Sequence, residues 1–334
     1  MKHRHLGRSG LVVSRLALGT MTWGGDTDDD DAELQLRAFR DAGGTLIDTA
    51  DVYVKGASER TLGALLSKDG GREEVLIATK AFGSTGPGPM GRGTSRGHLL
   101  NALDASLQRL GTDYVDLWQV HAWDHSTPIE ETLAALEVAV HSGRVRYVGI
   151  SNFTGWQLAK AAAISPVPLV SAQMEYSLLQ RGIEREVVPA CLDAGVGLLP
   201  WSPLGRGVLT GKYRNGRVPA DSRAASENFS SFVEPYLEDD RTHIVDAVLT
   251  AADGLGVTPV AVALAWVRDR PGVVSPIVGA RTVKQLTASI LAEDVTLPDS
   301  IRQALDDVSM PAASYPERMP FQVHHPDVEI LPPA

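Results

Sequence analysis

Asp48, Tyr53, Lys80 and His121 are a carboxylate, a phenol, an ammonium and an imidazole, and the chain sets each at or just past the end of a short apolar run. Leu46-Ile47-Asp48-Thr49-Ala50 rises from a Gly-Gly turn and delivers Asp48, with Tyr53 in the loop that follows. Val75-Leu76-Ile77-Ala78-Thr79-Lys80 delivers Lys80, and Tyr114-Val115-Asp116-Leu117-Trp118-Gln119-Val120-His121 delivers His121. Apolar runs of this length, bounded by turn residues, predict buried strands. Titratable groups gathered at strand mouths suit acid–base chemistry. Taken singly, each has a plain explanation: a tyrosine on a surface loop, an Asp–Lys salt bridge. Their joint placement on three strand ends is what carries information.

The elements that must position them recur as one unit. Arg4 to Ser14 reads as a hairpin around a Gly-bounded turn, and Leu16-Ala17-Leu18-Gly19 as a first buried strand. A helix over Asp31–Ala42, with Ala32, Leu36 and Phe39 on one face, leads to the strand at 45–48. A helix over Ser58–Leu66, with Ser58 placed to cap it, leads to the strand at 75–80. Ser95–Leu110, with its stripe of Leu99, Leu103, Leu107 and Leu110, feeds the strand at 114–120. Thr127-Pro128-Ile129-Glu130 predicts a helix start: a capping Thr, Pro at the first helical position and Glu three residues beyond the cap. The strand Tyr147–Ile150, a helix over Thr154–Ala163, the strand Leu169–Gln173, a helix over Glu184–Ala194 and the strand Gly197–Trp201 follow. Helical patterns at 241–253 and 258–268, a strand over Val273–Val278 and a helix at 282–292 complete the series.

Helix ends at Ala42-Gly43, Ser142-Gly143 and Ala194-Gly195 return the chain directly into a strand. Eight strands joined in this way predict an α/β fold with parallel strands closed into a (β/α)8 TIM barrel. One barrel domain over 1–334 is expected, with an N-terminal hairpin at 1–15, extra helices and long loops at the C-terminal face, including 204–235, and an irregular tail at 311–334. In such a barrel the chemistry sits at the C-terminal strand ends.

With 43% hydrophobic and 22% charged residues in 334, the chain can bury a substantial core. Its net charge of -10 and the absence of a basic face exclude nucleic acid as the main partner. The one cysteine, Cys191, lies among Val187, Val188, Ala190 and Leu192, so it reads as core and fits a reducing compartment. No run has signal-peptide or membrane-span length, and the expectation is a cytoplasmic protein with no membrane partner, monomeric or homo-oligomeric. No metal site is expected, since no paired-cysteine motif is present. Gly86-Pro87-Gly88-Pro89-Met90-Gly91 matches the Gly-x-Gly-x-x-Gly pattern formally. Two prolines remove backbone donors there, and the helix starts only at Ser95, so it reads as a loop and not a pyrophosphate cradle.

The chain resembles the aldo-keto reductase superfamily over nearly its whole length. The matching pieces are Ile47-Asp48-Thr49-Ala50 with Tyr53, Thr79-Lys80, Val120-His121, Gly149-Ile150-Ser151-Asn152-Phe153, Gln173, Trp201-Ser202-Pro203-Leu204 and Ile277-Val278-Gly279-Ala280-Arg281. The resemblance implies reduction of an aldehyde or ketone, sugar-like carbonyls included, by hydride from NADPH, with NADH possible. Such a reaction needs an acid near neutral pH, whereas an unperturbed phenol titrates near 10. Tyr53 is then the expected proton donor, Lys80 the cation that eases its ionisation, Asp48 the partner of Lys80, and His121 the group that orients the carbonyl oxygen.

The resemblance also implies a cofactor shell. Ser151, Asn152 and Gln173 would hold the nicotinamide carboxamide, and Trp201 would stack on its face. Ser202, Pro203, Leu204 and Arg206 would lie along the pyrophosphate, with Lys212 and Arg223 closing over it. Gly279, Arg281 and Gln285 would meet the adenosine end, Arg281 reading a 2'-phosphate. Ala288 and Ser289 depart from the family pattern, which usually has an acidic residue and an asparagine there. Met21, Trp23 and Trp123, with Phe229 and Phe232, are expected to line an apolar substrate mouth. A different class is represented by channel-associated relatives, which keep the nicotinamide site and serve as regulatory subunits.

Overall fold

The computed structural model describes residues 1–220, 222–226, 230–237 and 241–315. It opens with an antiparallel hairpin, β1 (His3–His5) and β2 (Val12–Ser14). Eight parallel strands follow: β3 (Ala17–Gly19), β4 (Leu46–Asp48), β5 (Leu76–Ala81), β6 (Val115–Val120), β7 (Val145–Ser151), β8 (Leu169–Glu175), β9 (Gly197–Trp201) and β10 (Ile277–Gly279). They pair in the order β10-β3-β4-β5-β6-β7-β8-β9. The helices α1 (Asp29–Asp41), α2 (Ala57–Asp69), α3 (Arg96–Leu110), α4 (Ile129–His141), α5 (Gly155–Ile164) and α6 (Val187–Ala194) return each strand to the next. Between β9 and β10 come α7 (Ser230–Val233), α8 (Thr242–Leu255) and α9 (Pro259–Arg268); α10 (Val283–Ile290) and α11 (Asp299–Val308) close the chain. This is a (β/α)8 barrel.

The ring closes in a way the apolar run 273–278 concealed. That run is expected to be one strand, but it divides at Ser275-Pro276. Its first part bonds β9, through Leu198 N–H to Gly272 O (2.9 Å) and Val274 N–H to Leu198 O (2.9 Å). Its second part, β10, pairs with β3, and Pro276 O accepts from Ala17 N–H at 2.9 Å. A proline has no N–H for a ladder, so it falls where the chain changes partner.

The hairpin plugs the N-terminal end of the barrel. Leu6, Leu11 and Val13 pack with the inward-facing Ala17, Leu46, Ala78, Leu117 and Leu199. Gly7 makes the close approach, since a Cβ there would come within 2.6 Å of Val170 O and its φ is +59°. Cys191 is buried in the layer between helices and barrel, and burial pushes its thiol up to about 12, as expected of a core cysteine.

Several local expectations are corrected. Ser58 is no cap: α2 starts one residue earlier, after Gly56 in the left-handed region. The Ser58 hydroxyl is buried and ties β3 to the β4 loop through Thr20 Oγ1 (2.7 Å) and Thr49 Oγ1 (2.9 Å). Pro128 occupies the cap of α4, because the Thr127 hydroxyl donates to Asp124 Oδ2 (2.9 Å) instead. The helix expected from Glu184 starts at Val187, after a short 3-10 turn at Gly182–Glu184. α11 had no counterpart among the sequence-based elements. Residues 311–315 form no regular element, and 316–334 lie outside the described residues. Among the described residues, no single helix is long and apolar enough to cross a membrane.

Candidate active site

The barrel brings the four acid–base residues together at one rim. Asp48 is the last residue of β4, Lys80 the penultimate of β5, and His121 follows β6 directly. In-register pairing of Asp48 with Ala78 and of Lys80 with Gln119 keeps their carriers level. Lys80 is wholly buried, and its Nζ donates to Asp48 Oδ2 (2.7 Å), Thr49 O (2.7 Å) and Tyr53 Oη (3.3 Å). All three ammonium donors are thus used. The ring of His121 meets that of Tyr53 edge-on, with centroids 6.0 Å apart.

Burial pushes the Asp48 carboxyl above its ordinary range, while Lys80 and the Gln173 amide pull it back. Burial also opposes charge on Lys80, yet Asp48 and Tyr53 together hold it above its ordinary value. The direction that governs the site is that of Lys80: facing three oxygens, it keeps its proton, with Asp48 as counter-ion. His121 is driven down to about 3, by burial first and by the Lys80 charge second, so its imidazole is neutral at physiological pH. A neutral imidazole next to a phenol can donate one hydrogen bond without competing for the phenol's proton.

From this cluster a cleft of about 560 Å³ runs between the ends of β7 to β10. It is lined by Asp48, Tyr53, His121, Ser151, Asn152, Gln173, Trp201, Ser202, Pro203, Leu204, Arg206, Lys212, Gly279, Arg281 and Gln285, and by Met21 at its mouth. Gln173, which also lines the cleft, reaches back to the acid–base cluster, its Nε2 donating to Asp48 Oδ1 at 2.8 Å. Ser151 donates to Gln173 O (2.9 Å). Asn152 has φ +58°, donates from Nδ2 to His121 O (3.0 Å) and accepts from Trp201 Nε1 (3.0 Å). The Trp201 ring is thereby fixed in orientation and lies near-parallel to Phe232, centroids 6.0 Å apart. Lys212 has no carboxylate partner among the described residues, and its Nζ lies over the Tyr213 ring.

Other residues stand differently from what the sequence suggested. Trp23 is fully buried and donates from Nε1 to Gln35 (3.3 Å), so it is core and not substrate wall. Trp123 is absent from the cleft lining; it is partly buried against the core and packs edge-on against Phe153 (5.1 Å) and Trp156 (5.3 Å). Arg206 lines the cleft, but its charge is taken by a two-pronged pair with Glu175 at 2.9 Å on each side. It also lies over the Phe232 face at 3.8 Å and donates to Phe232 O. It braces α7, which weakens it as a phosphate contact. Arg281 meets the Asp26 carboxylate at 3.7 Å and donates to Ser222 O at 3.2 Å, while its backbone N–H donates to Gln285 Oε1 (2.9 Å). Ala288 and Ser289, the two departures from the family pattern, line the same end. Arg223 sits in the turn Arg223–Ala225, with its side chain outside the described ones, and Phe229 lies outside the described residues. Gly207, in the turn around Arg206, lines the cleft too, and Thr22, Thr210 and Val260 line it with no signal in the sequence to mark them.

A barrel whose rim holds a buried Asp–Lys pair under a half-buried tyrosine, beside a long cleft, defines a class, and the chain belongs to the aldo/keto reductase family, whose profile matches residues 15–309. Its relatives include proteins named as channel subunits and one named as an oxidoreductase. A probable voltage-gated potassium channel subunit beta of Arabidopsis thaliana is 38% identical over 325 residues, covering 95% of this chain and 98% of the relative. One from Oryza sativa subsp. japonica is also 38% identical, with the same coverage. The uncharacterized oxidoreductase YrpG of Bacillus subtilis (strain 168) is 38% identical over 322 residues, covering 92% of this chain and 96% of the relative.

Proposed function

We propose that the chain is an NADPH-dependent carbonyl reductase that converts an aldehyde or ketone to an alcohol, with Tyr53 supplying the proton. The observation that supports this best is the buried Lys80 ammonium, held by Asp48 and Thr49 O and aimed at the Tyr53 oxygen. The bound nicotinamide supplies the hydride. As the phenol gives up its proton, Lys80 stabilises the charge left on its oxygen, and Asp48 keeps Lys80 from moving away. His121, neutral beside Tyr53, donates a hydrogen bond to the carbonyl oxygen and fixes it within reach of the phenol.

The cleft fits a dinucleotide by its chemistry. Gln173 Oε1 and the Ser151–Asn152 corner offer acceptors and donors to a carboxamide, and Trp201 offers a flat face. Lys212, Gly279, Arg281 and Gln285 stand where phosphates and adenosine would lie, and Arg281 favours NADPH over NADH. Met21 and Phe232 give the mouth an apolar wall suited to an aldehyde, a ketone or a sugar-like carbonyl. The test is tryptophan quenching by NADPH and by NADH, followed by oxidation of NADPH with a panel of aldehydes and ketones. Saturable binding of NADPH with no turnover of any carbonyl would overturn the enzymatic reading.

A second reading has support in the names of two relatives: a nicotinamide-binding regulatory subunit of a membrane channel. It predicts retention of NADPH binding together with stable co-purification of a channel protein, whereas the reductase reading requires neither partner nor membrane and accommodates a monomer or homo-oligomer in the cytoplasm.

A further inference from the structure

A carboxyl outside the four-residue cluster is the least satisfied in the neighbourhood. Asp51, in the loop between Asp48 and Tyr53, is 2% exposed, and no side chain hydrogen-bonds its carboxyl, which has only the neighbouring Val52 N–H beside it. Its loop is strapped to β5 from two sides: Asp51 N–H donates to Lys80 O (3.1 Å), and Lys80 Nζ donates to Thr49 O (2.7 Å). Behind it lies Glu59 of α2, fully buried, accepting from the Thr79 hydroxyl (2.6 Å) and from Arg109 Nε of α3 (2.6 Å). Arg109 in turn lies against Gly56, where a Cβ would stand 2.8 Å from its Cδ.

The turn Tyr53–Gly56 that carries the phenol is not held by its own preferences. Val54 and Lys55 have φ of +46° and +54°, and a β-branched residue in that region persists only where its surroundings impose it. The charged groups facing Asp51 are Glu59 from α2, Arg109 from α3 and Lys80 from β5. Of these, Lys80 also donates to the phenol oxygen, and Arg109, paired with Glu59, lies against Gly56 of the turn.

We infer that Asp51 is a positioning residue for Tyr53, its carboxyl setting the seat of the Tyr53–Gly56 turn through the Glu59–Arg109 pair and the Lys80 strap. The inference rests on reading Tyr53 as the proton donor. Protonated, Asp51 is a neutral group whose burial costs little. Ionised, it is repelled by Glu59 and drawn toward Arg109 and Lys80, the cations on which the turn depends. Burial first and Glu59 second push Asp51 up to about 7, whereas His121 is held at about 3 and Lys80 above its ordinary value. The protonated fraction of a group at about 7 falls about tenfold between pH 6 and pH 8.

The test replaces Asp51 in the full-length protein by its neutral isostere, Asp51→Asn, with Asp51→Ser as a second variant should the first fold poorly. Two readouts are taken: kcat with NADPH and 4-nitrobenzaldehyde from pH 6 to 8, and the phenolate absorbance of Tyr53, obtained as the difference from Tyr53→Phe, over a range that spans the phenol's ordinary value near 10. The expected result is a kcat that falls about tenfold across the range in the native protein and stays flat in the variant, with KM unchanged and the Tyr53 phenolate midpoint displaced. A variant with a lower melting temperature but parallel kcat and phenolate profiles would make Asp51 merely structural and overturn the inference. If the native protein reduces no aldehyde, the reductase reading fails, and the phenolate midpoint, which needs no turnover, still decides: an undisplaced midpoint overturns the role of Asp51.

Discussion

Lys80→Met removes the ammonium on which the account turns and keeps most of the side-chain volume. In the native site Lys80 Nζ is 3.3 Å from the Tyr53 oxygen. At an effective dielectric constant of about 20, a unit charge at that separation stabilises a phenolate by about 5 kcal/mol. Asp48 lies just beyond Lys80 with opposite charge and offsets part of this. If Asp48 takes up a proton once its cation is gone, the net loss is about 2 kcal/mol; if it stays ionised, it approaches about 5 kcal/mol. The expected fall in kcat is therefore about 30-fold to 5,000-fold, with the Kd for NADPH within about threefold of native. Stability suffers too, since one partner of a buried pair is left behind at a cost of about 3–5 kcal/mol. Lys80→Met combined with Asp48→Asn should recover much of the melting temperature and none of the turnover. A Lys80→Met protein that is folded and reduces aldehydes within about threefold of the native rate would refute the reasoning.

Arg281→Ala should weaken NADPH binding much more than NADH binding in a fluorescence titration, since only NADPH carries the 2'-phosphate; equal losses would reduce Arg281 to general attraction. Because burial and Lys80 hold His121 at about 3, its ring resonances should stay unchanged from pH 5 to pH 8 in an NMR titration, and a midpoint near 6.5 would contradict the buried, neutral imidazole. Asp51 also predicts a stability profile. Its folded value of about 7 lies above its ordinary 3.8, so between these limits the folded protein holds a proton that the unfolded chain has lost. Stability therefore falls as pH rises through that window and levels off above it, by at most about 4 kcal/mol. Asp51→Asn should match the native protein near pH 4 and exceed it at pH 8, as read by denaturant unfolding.

The barrel was legible because its signal repeats: apolar runs that end on polar groups, helices of amphipathic period, and glycines such as Gly43, Gly143 and Gly195 that turn each helix back into a strand. The acid–base cluster was legible because Asp48, Lys80 and His121 each sit at a strand end, and parallel register does the rest. What stayed hidden depends on contacts across long sequence distance. Glu59 and Arg109 are fifty residues apart, and only the packing of α2 on α3 makes them a pair beside Asp51. Ser58 looks like a helix cap, yet Gly56 supplies the left-handed start and frees the hydroxyl to tie two strand loops together. Trp23 follows a strand as a pocket residue would, but α1 supplies Gln35 as a buried partner for its indole. Arg206 carries a charge at the right place in the loop, and Glu175 at the end of β8 neutralises it. The partner switch at Pro276 cannot be read from an apolar run, because hydrophobicity reports burial and not which strand lies alongside.

The central claim is that Tyr53 gives the proton in a reduction driven by NADPH, and Tyr53→Phe tests it most directly. The measurement pairs the initial rate of NADPH oxidation with an aldehyde against the Kd for NADPH from tryptophan quenching. The account predicts a loss of turnover of at least about a hundredfold with the Kd nearly unchanged, since the ring remains and only the acid is removed. A variant that keeps close to the native rate would contradict it, and would take Tyr53 out of the chemistry.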